Sequence, residues 1–217
     1  MTYVIAIDGP SGSGKSSTSR GVATRLGYAY LDTGAMYRAM TWAMLQRGID
    51  VNDAEAVADA ATDVVLASGT DPQSPTIEAD GVDVSEPIRG DEVTHAVSPV
   101  ATVPSVRQQL VDLQRKQIAD ATGGIVVEGR DIGTVVAPDA DLKIYLVADP
   151  VARAQRRALE LGVEDAEAMQ QALARRDAID SNRTTAPLAQ ADDAVVVDGT
   201  HLTLDEVIEQ IVALAQR

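Results

Sequence analysis

Gly9-Pro10-Ser11-Gly12-Ser13-Gly14-Lys15-Ser16 fits the pattern G-x-x-x-x-G-K-[ST] and is followed by Ser17. The motif stands between the apolar, β-branched run Tyr3–Asp8 and a helix-compatible segment from Lys15 to about Leu26. Strand, glycine-rich turn and helix are the context in which this pattern binds phosphate. Glycines let backbone N–H groups crowd around a β-phosphate, and the helix N-terminus turns its partial positive charge toward the same anion. Lys15, expected to face solvent from the loop, would bridge the β- and γ-phosphates of ATP. Ser16 would bind Mg²⁺ already coordinated to nucleotide oxygens.

A phosphate loop by itself does not separate a switch GTPase, a motor ATPase and a small-molecule kinase. The sequence has no N-K-x-D-like base-reading motif. It carries arginines just beyond strands and in late helical segments: Arg130 beside Asp131, then Arg153, Arg156, Arg157, Arg176 and Arg183. Arginine forks suit a site that clamps several phosphates. Each has a plainer alternative: a surface ion pair for Arg130 and Asp131, a solvated helix face for the group at 153–157. Tyr30 and Tyr37 read as packing residues, and the two isolated histidines, His95 and His201, are assigned no chemistry.

Composition narrows the class further. Hydrophobic residues are 45 % and charged residues 24 % of 217, which is ordinary globular composition and enough chain for one full core. The formal charge of −15 opposes binding to a nucleic-acid backbone, because that affinity comes from a basic surface releasing counterions. With no cysteine there is neither a disulfide nor a thiolate metal site. The N-terminus runs from Met straight into the first apolar segment without a signal-peptide pattern, and no stretch is apolar for long enough to cross a bilayer. A cytoplasmic protein, bound to neither membrane nor nucleic acid, is expected.

The elements that must position these residues alternate in type. After the first strand and helix, 28–31 reads as a strand and 34–47 as a helix, and Asp53 is an N-cap for a helix to about Ala67. From Thr76 to Val84 polar and apolar residues alternate about an Asp80-Gly81 turn, which signals a hairpin. Helical spacing returns over 104–121, and 125–127, 142–147 and 194–197 are buried-strand candidates. Asp149-Pro150 caps and opens a helix to about Leu161, and Thr203 with Glu206 forms a capping box for the last one. This alternation predicts an α/β fold with a parallel sheet and the hairpin as an inserted piece.

Four longer segments, GPSGSGKSS from Gly9, YLDTGAMYR from Tyr30, EGRDIGTVVAPDADLKIYL from Glu128 and RRDAIDSNRTTAPL from Arg175, resemble the bacterial cytidylate kinase family over nearly the whole chain. The resemblance implies a P-loop NTPase fold of the nucleoside monophosphate kinase type: a five-stranded parallel sheet with helices on both faces, a small antiparallel acceptor-binding sheet and a helical lid. It implies a single kinase domain over 1–217, with the acceptor-binding insertion at about 70–100 and the lid at about 150–183. The implied reaction moves the γ-phosphoryl group of ATP, with Mg²⁺, to CMP or dCMP, and a monomer is expected.

Position by position, Asp32, Thr33 and Arg38 match acceptor contacts, with Arg38 on the α-phosphate, and Ser98, Arg107 and Asp131 match residues that read cytosine. Arg130 and Arg183 match phosphate contacts, and Arg176 and Asp180 match residues that hold the ribose. Lys15, Arg130, Arg153 and Arg157 are the catalytic candidates. Some relatives have Ser where Thr33 stands and Asp where Glu128 stands, which keeps a hydroxyl and a carboxylate. Other small-molecule P-loop kinases, for UMP/CMP, shikimate or dephospho-coenzyme A, are the nearest alternatives. A nucleotide-binding regulatory module is the alternative from another class.

Overall fold

The computed structural model describes residues 2–162, 165–182 and 188–217. Among these, five strands form one parallel sheet in the order β2 (Ala29–Asp32), β6 (Gly124–Gly129), β1 (Tyr3–Asp8), β7 (Leu142–Val147), β8 (Val195–Asp198). The central strands bury both faces, as parallel strands between helices do. Ile5, Ile7 and Val126 join Val22 and Ala23 of α1 (Lys15–Leu26) with Val207, Ile208 and Ile211 of α8 (Leu204–Ala215). The alternate residues Ala6, Ile125 and Val127 face the other way, into a larger core with Met36, Met40 and Met44 of α2 (Thr33–Gln46) and Leu110 of α5 (Pro104–Asp120). Burial of a side chain such as Ile5 or Ile7, both without exposure, contributes about 1.5–3 kcal/mol.

Caps hold several helices where the sequence places them. Asp53 accepts from the N–H groups of Glu55 and Ala56 to open α3 (Ala54–Ala61), and Asp149 accepts from Val151 to open α6 (Pro150–Leu161). Thr203 and Glu206 cap α8 reciprocally.

The helix expected to run to about Ala67 stops at Ala61. The segment after it contributes β3 (Leu66–Ser68), which pairs antiparallel with β4 (Ile77–Ala79), itself paired with β5 (Val82–Asp83). Val64-Val65-Leu66 is apolar with two β-branched valines, and the ladder to Ala79 offers its backbone partners that a helix extension could not combine with burial of Val64 and Ile77. Asp80 and Gly81 both take positive φ, 52° and 78°, which is the two-residue turn that a tight hairpin requires. A helix absent from the sequence reading, α4 (Asp91–Thr102), follows; Pro99 inside it masks its signal.

The C-terminal ends of β1, β2 and β6 open on one edge of the sheet, where α/β proteins bind ligands. At the same edge α6 and α7 (Ala166–Ser181), the helices of the expected lid, reach the loop after β1 through Arg153 and Asp177.

Candidate active site

The phosphate loop leaves β1 at Gly9, whose φ of 153° and close approach to Leu146 O leave no room for a Cβ. It enters α1 through Gly14 in the left-handed region, φ 89°, with no side-chain cap on the first helical N–H groups. Those donors remain available for an anion. Ser13 Oγ is buried in the loop without a hydrogen-bond partner among the described residues.

Lys15 does not face solvent. It is half-buried, and Nζ donates to Gly9 O at 2.8 Å and Pro10 O at 2.7 Å, so the loop's own carbonyls hold the ammonium over the cradle. Burial, with Arg130 adding repulsion, lowers its pKa; Glu128, Asp8 and Asp177 oppose that shift.

Glu128, at the end of β6, is buried and lies between three elements. Its carboxylate accepts from Ser16 Oγ at 3.0 Å and from Tyr30 Oη, and its backbone carbonyl accepts from Thr33 Oγ1 at 2.6 Å. Burial raises its pKa, and Asp32 adds to the rise. Tyr30 thus packs, as its composition suggests, but its hydroxyl also holds this carboxylate. Asp8 ends β1 and accepts from the N–H groups of Ile132 and Gly133 at 2.8 and 2.7 Å. Burial pushes its pKa up to about 6 against the pull of those two donors. Its carboxylate fixes the single π-helical turn over 132–136, directly after Asp131.

The candidates of the acceptor side come from separate elements. Asp32 caps α2 by accepting from Ala35 N at 2.9 Å. Arg38 donates Nη1 to Ile88 O and Thr94 Oγ1, both at 3.0 Å. Ser98 is half-buried on α4. Arg107 of α5 forms a buried ion pair with Asp131, the two side chains only 4 % and 8 % exposed, and its guanidinium lies 5.5 Å from the Tyr37 ring centroid. Arg130 bridges in the other direction: Nη1 donates to Gly9 O at 2.8 Å and Nε meets Asp180 at 3.1 Å.

Arg38, Arg130, Arg157 and Arg176 crowd one another, and their mutual repulsion adds to burial in lowering the pKa of Arg38 and in bringing that of Arg176 down to about 10. Arg176 Nε is buried without a partner among the described residues. The arginines of the expected lid part company: Arg153 donates to Ser11 O at 2.8 Å, Arg156 to Gly199 O at 2.5 Å, and Arg157 adds repulsion at Arg38 and Arg176. Arg183 lies outside the described residues.

Sequence reasoning noted the Glu128 carboxylate only as a departure from relatives, without a role, and passed over Asp8 and Asp177 of α7, which accepts from Ser11 N at 2.9 Å. An acidic residue closing a buried apolar strand is a signal for Asp8. Asp177 reaches the loop across 166 residues and no local pattern announces it.

A phosphate loop on a parallel sheet, faced by clustered arginines and a helical pair, defines a P-loop kinase. The fold is shared with a gluconokinase from Sinorhizobium meliloti at a TM-score of 0.54 and 15 % identity, covering 99 % of this chain and 92 % of that one. The cytidylate kinase family model matches residues 5–217. Among curated relatives, the cytidylate kinase of Streptomyces griseus is 60 % identical over 99 % of this chain and 93 % of its own, and that of Rhodococcus opacus is 52 % identical over 97 % and 93 %. The chain belongs to the cytidylate kinase family.

Proposed function

We propose that this chain transfers the γ-phosphoryl group of ATP to CMP and dCMP, giving ADP with CDP or dCDP. The observation that carries the reading is the dipeptide Arg130-Asp131: Arg130 holds the phosphate loop at Gly9 O, and the next residue pairs with Arg107 in a buried site. One turn of chain thus joins a phosphate end to an end built for a polar ring.

An oxygen of the CMP phosphate attacks the γ-phosphorus, and the bond to the β–γ bridging oxygen breaks with its electron pair leaving on ADP. The acceptor is an anion at neutral pH, so no protein base is needed. Alignment and charge neutralisation are the protein's part. In this reading Lys15 and the backbone of 9–17 hold the ATP phosphates, and Arg38, Arg130 and Arg183 the CMP phosphate. Thr33 and Asp32 flank the acceptor, Arg176 and Asp180 take the ribose, and Arg153 and Arg157 act from the lid. Asp131 accepts from cytosine N4, Arg107 donates toward N3 and Ser98 adds a hydroxyl.

Mg²⁺ fits the donor set: a loop hydroxyl, Ser16 Oγ, lies 3.0 Å from the buried Glu128 carboxylate. Among the described residues no group of three or more acidic or imidazole ligands forms a cage, which suits an ion carried by nucleotide phosphates. When bound, the ion would neutralise charge on the β- and γ-oxygens, with Ser16 as its protein ligand and Glu128 behind it.

We read residues 1–217 as one domain, with the insertion at about 70–100 receiving the acceptor and the lid at about 150–183 closing over the phosphates to exclude water. No helix of the described residues is long and apolar enough to cross a membrane. The substrates fit a cytoplasmic enzyme, and a monomer suffices because every group named belongs to one chain. Coupled ADP release with a panel of acceptors tests the reading. CMP and dCMP are expected to stimulate release; stimulation by shikimate or dephospho-coenzyme A, and not by CMP, would overturn it.

A further inference from the structure

Ser11 is held from outside its own loop on both sides of its residue. Asp177 Oδ1 accepts from Ser11 N at 2.9 Å, while Asp177 Oδ2 accepts from Arg153 Nη1 at 2.5 Å, and the same Nη1 donates to Ser11 O at 2.8 Å. One ion pair, its side chains 11 % and 17 % exposed, therefore closes a ring on a residue of the phosphate loop. Arg130 Nη1 lies 3.7 Å from Asp177 Oδ1 and donates to Gly9 O two residues upstream. The next residue of the loop is also covered: a Cβ on Gly12 would come within 3.2 Å of both Arg153 O and Leu173 Cδ1, on α6 and α7.

We infer that Asp177 is a positioning residue for phosphoryl transfer, joining the roots of both lid helices to the phosphate loop so that Arg153 and Arg130 are aimed at the transferring group. The inference rests on the kinase reading above. A competing role is that of a stand-in anion, displaced when nucleotide phosphates arrive. The ring argues against displacement, since an incoming phosphate can replace a carboxylate on an N–H but cannot replace Arg153 on the carbonyl of Ser11. Asp177 touches both guanidiniums and Asp180 holds the far side of Arg130 at 3.1 Å, so carboxylates fix the direction of both arginines. A misplacement of about 1 Å in such a group can cost on the order of 100-fold in rate.

Asp177→Asn is the discriminating substitution: its amide oxygen can still accept from Ser11 N, but its amide N–H₂ then faces Arg153, donor against donor. The expected result is a fall in kcat of about 10- to 100-fold, with KM for ATP and CMP within about threefold and an unchanged melting temperature. In an Arg153→Met background the same change should cost less than about threefold, because the two residues act as one unit. Hydrogen exchange of the peptide over 9–16 should quicken by about fivefold or more in the ligand-free variant. A retained kcat with tighter ATP binding would establish displacement and overturn the inference. A lowered melting temperature with kcat intact at saturation would show a structural brace only and overturn it equally. The exchange measurement needs no acceptor: a wild type inactive on CMP would sink the kinase reading, whereas unchanged loop exchange would sink the clamp.

Discussion

The two ends of the cleft treat charge in opposite ways. At one end Arg107 and Asp131 are paired and buried, so the site is electrostatically balanced before any ligand arrives. At the other, burial and the repulsion of neighbouring guanidiniums lower the pKa of Arg38 and Arg176, and Arg176 Nε has no partner among the described residues. A balanced pair chooses a ligand by hydrogen-bond pattern, because a mismatched base leaves buried groups facing like partners. A crowded cationic cluster recognises charge and is relieved by any well-placed anion. On the proposed reading, selectivity belongs to the Asp131 end and phosphate affinity to the cluster around Arg38 and Arg130, within one site in a chain whose net charge is −15.

The largest break in this comparison is expected at the phosphate end. Lys15→Met removes the one ammonium held over the loop, and losing such a transition-state contact costs about 3–4 kcal/mol, or on the order of 100- to 1000-fold in kcat. Near wild-type turnover of the purified, folded variant would refute the role of the loop.

Asp8 sharpens the contrast through pH. Its pKa of about 6 in the fold lies above 3.8, so the native state holds this proton more tightly than the unfolded chain does. Its contribution to stability is full below pH 3.8 and is lost as pH rises through 6, by about 3 kcal/mol if the whole shift is expressed. Denaturant titrations of wild type and Asp8→Asn should differ accordingly: the stability of the variant relative to wild type rises between about pH 4 and 6.5. A difference flat with pH would show that Asp8 does not titrate there.

The smallest effect has an unusual sign. Replacing Arg176 by Met removes a desolvated charge from a cluster of like charges, so the ligand-free protein should gain about 1 kcal/mol while KM for CMP rises. A loss of stability would mean that the cluster is already compensated without ligand.

Legibility in the sequence divides along a related line. The phosphate loop is eight consecutive residues whose work is done mostly by backbone, so its spacing alone states its chemistry. The parallel sheet and most caps are likewise local in origin, and the structure places them within a residue or two of expectation. The acceptor end draws on α2, α4, α5, the turn after β6 and α7, and only the family resemblance brought those residues together. The helix α4, which continues through Pro99, and the strand β3, a three-residue piece stabilised by its partner, were hidden because tertiary pairing outweighs local preference there. Asp177 was hidden for the same reason at longer range.

The most direct test of the division of labour is kcat/KM for CMP and for UMP in wild type and in Asp131→Ala. Cytosine offers a donor at N4 and an acceptor at N3, and uracil the reverse, so a carboxylate beside a guanidinium fits the first and opposes the second. Asp131→Ala is expected to lower kcat/KM for CMP by about 10- to 100-fold, a loss of about 1–3 kcal/mol, and to affect UMP much less. Equal losses for the two acceptors would show that Asp131 serves the phosphates or the metal instead of the base, and would contradict the assignment of selectivity to this end of the cleft.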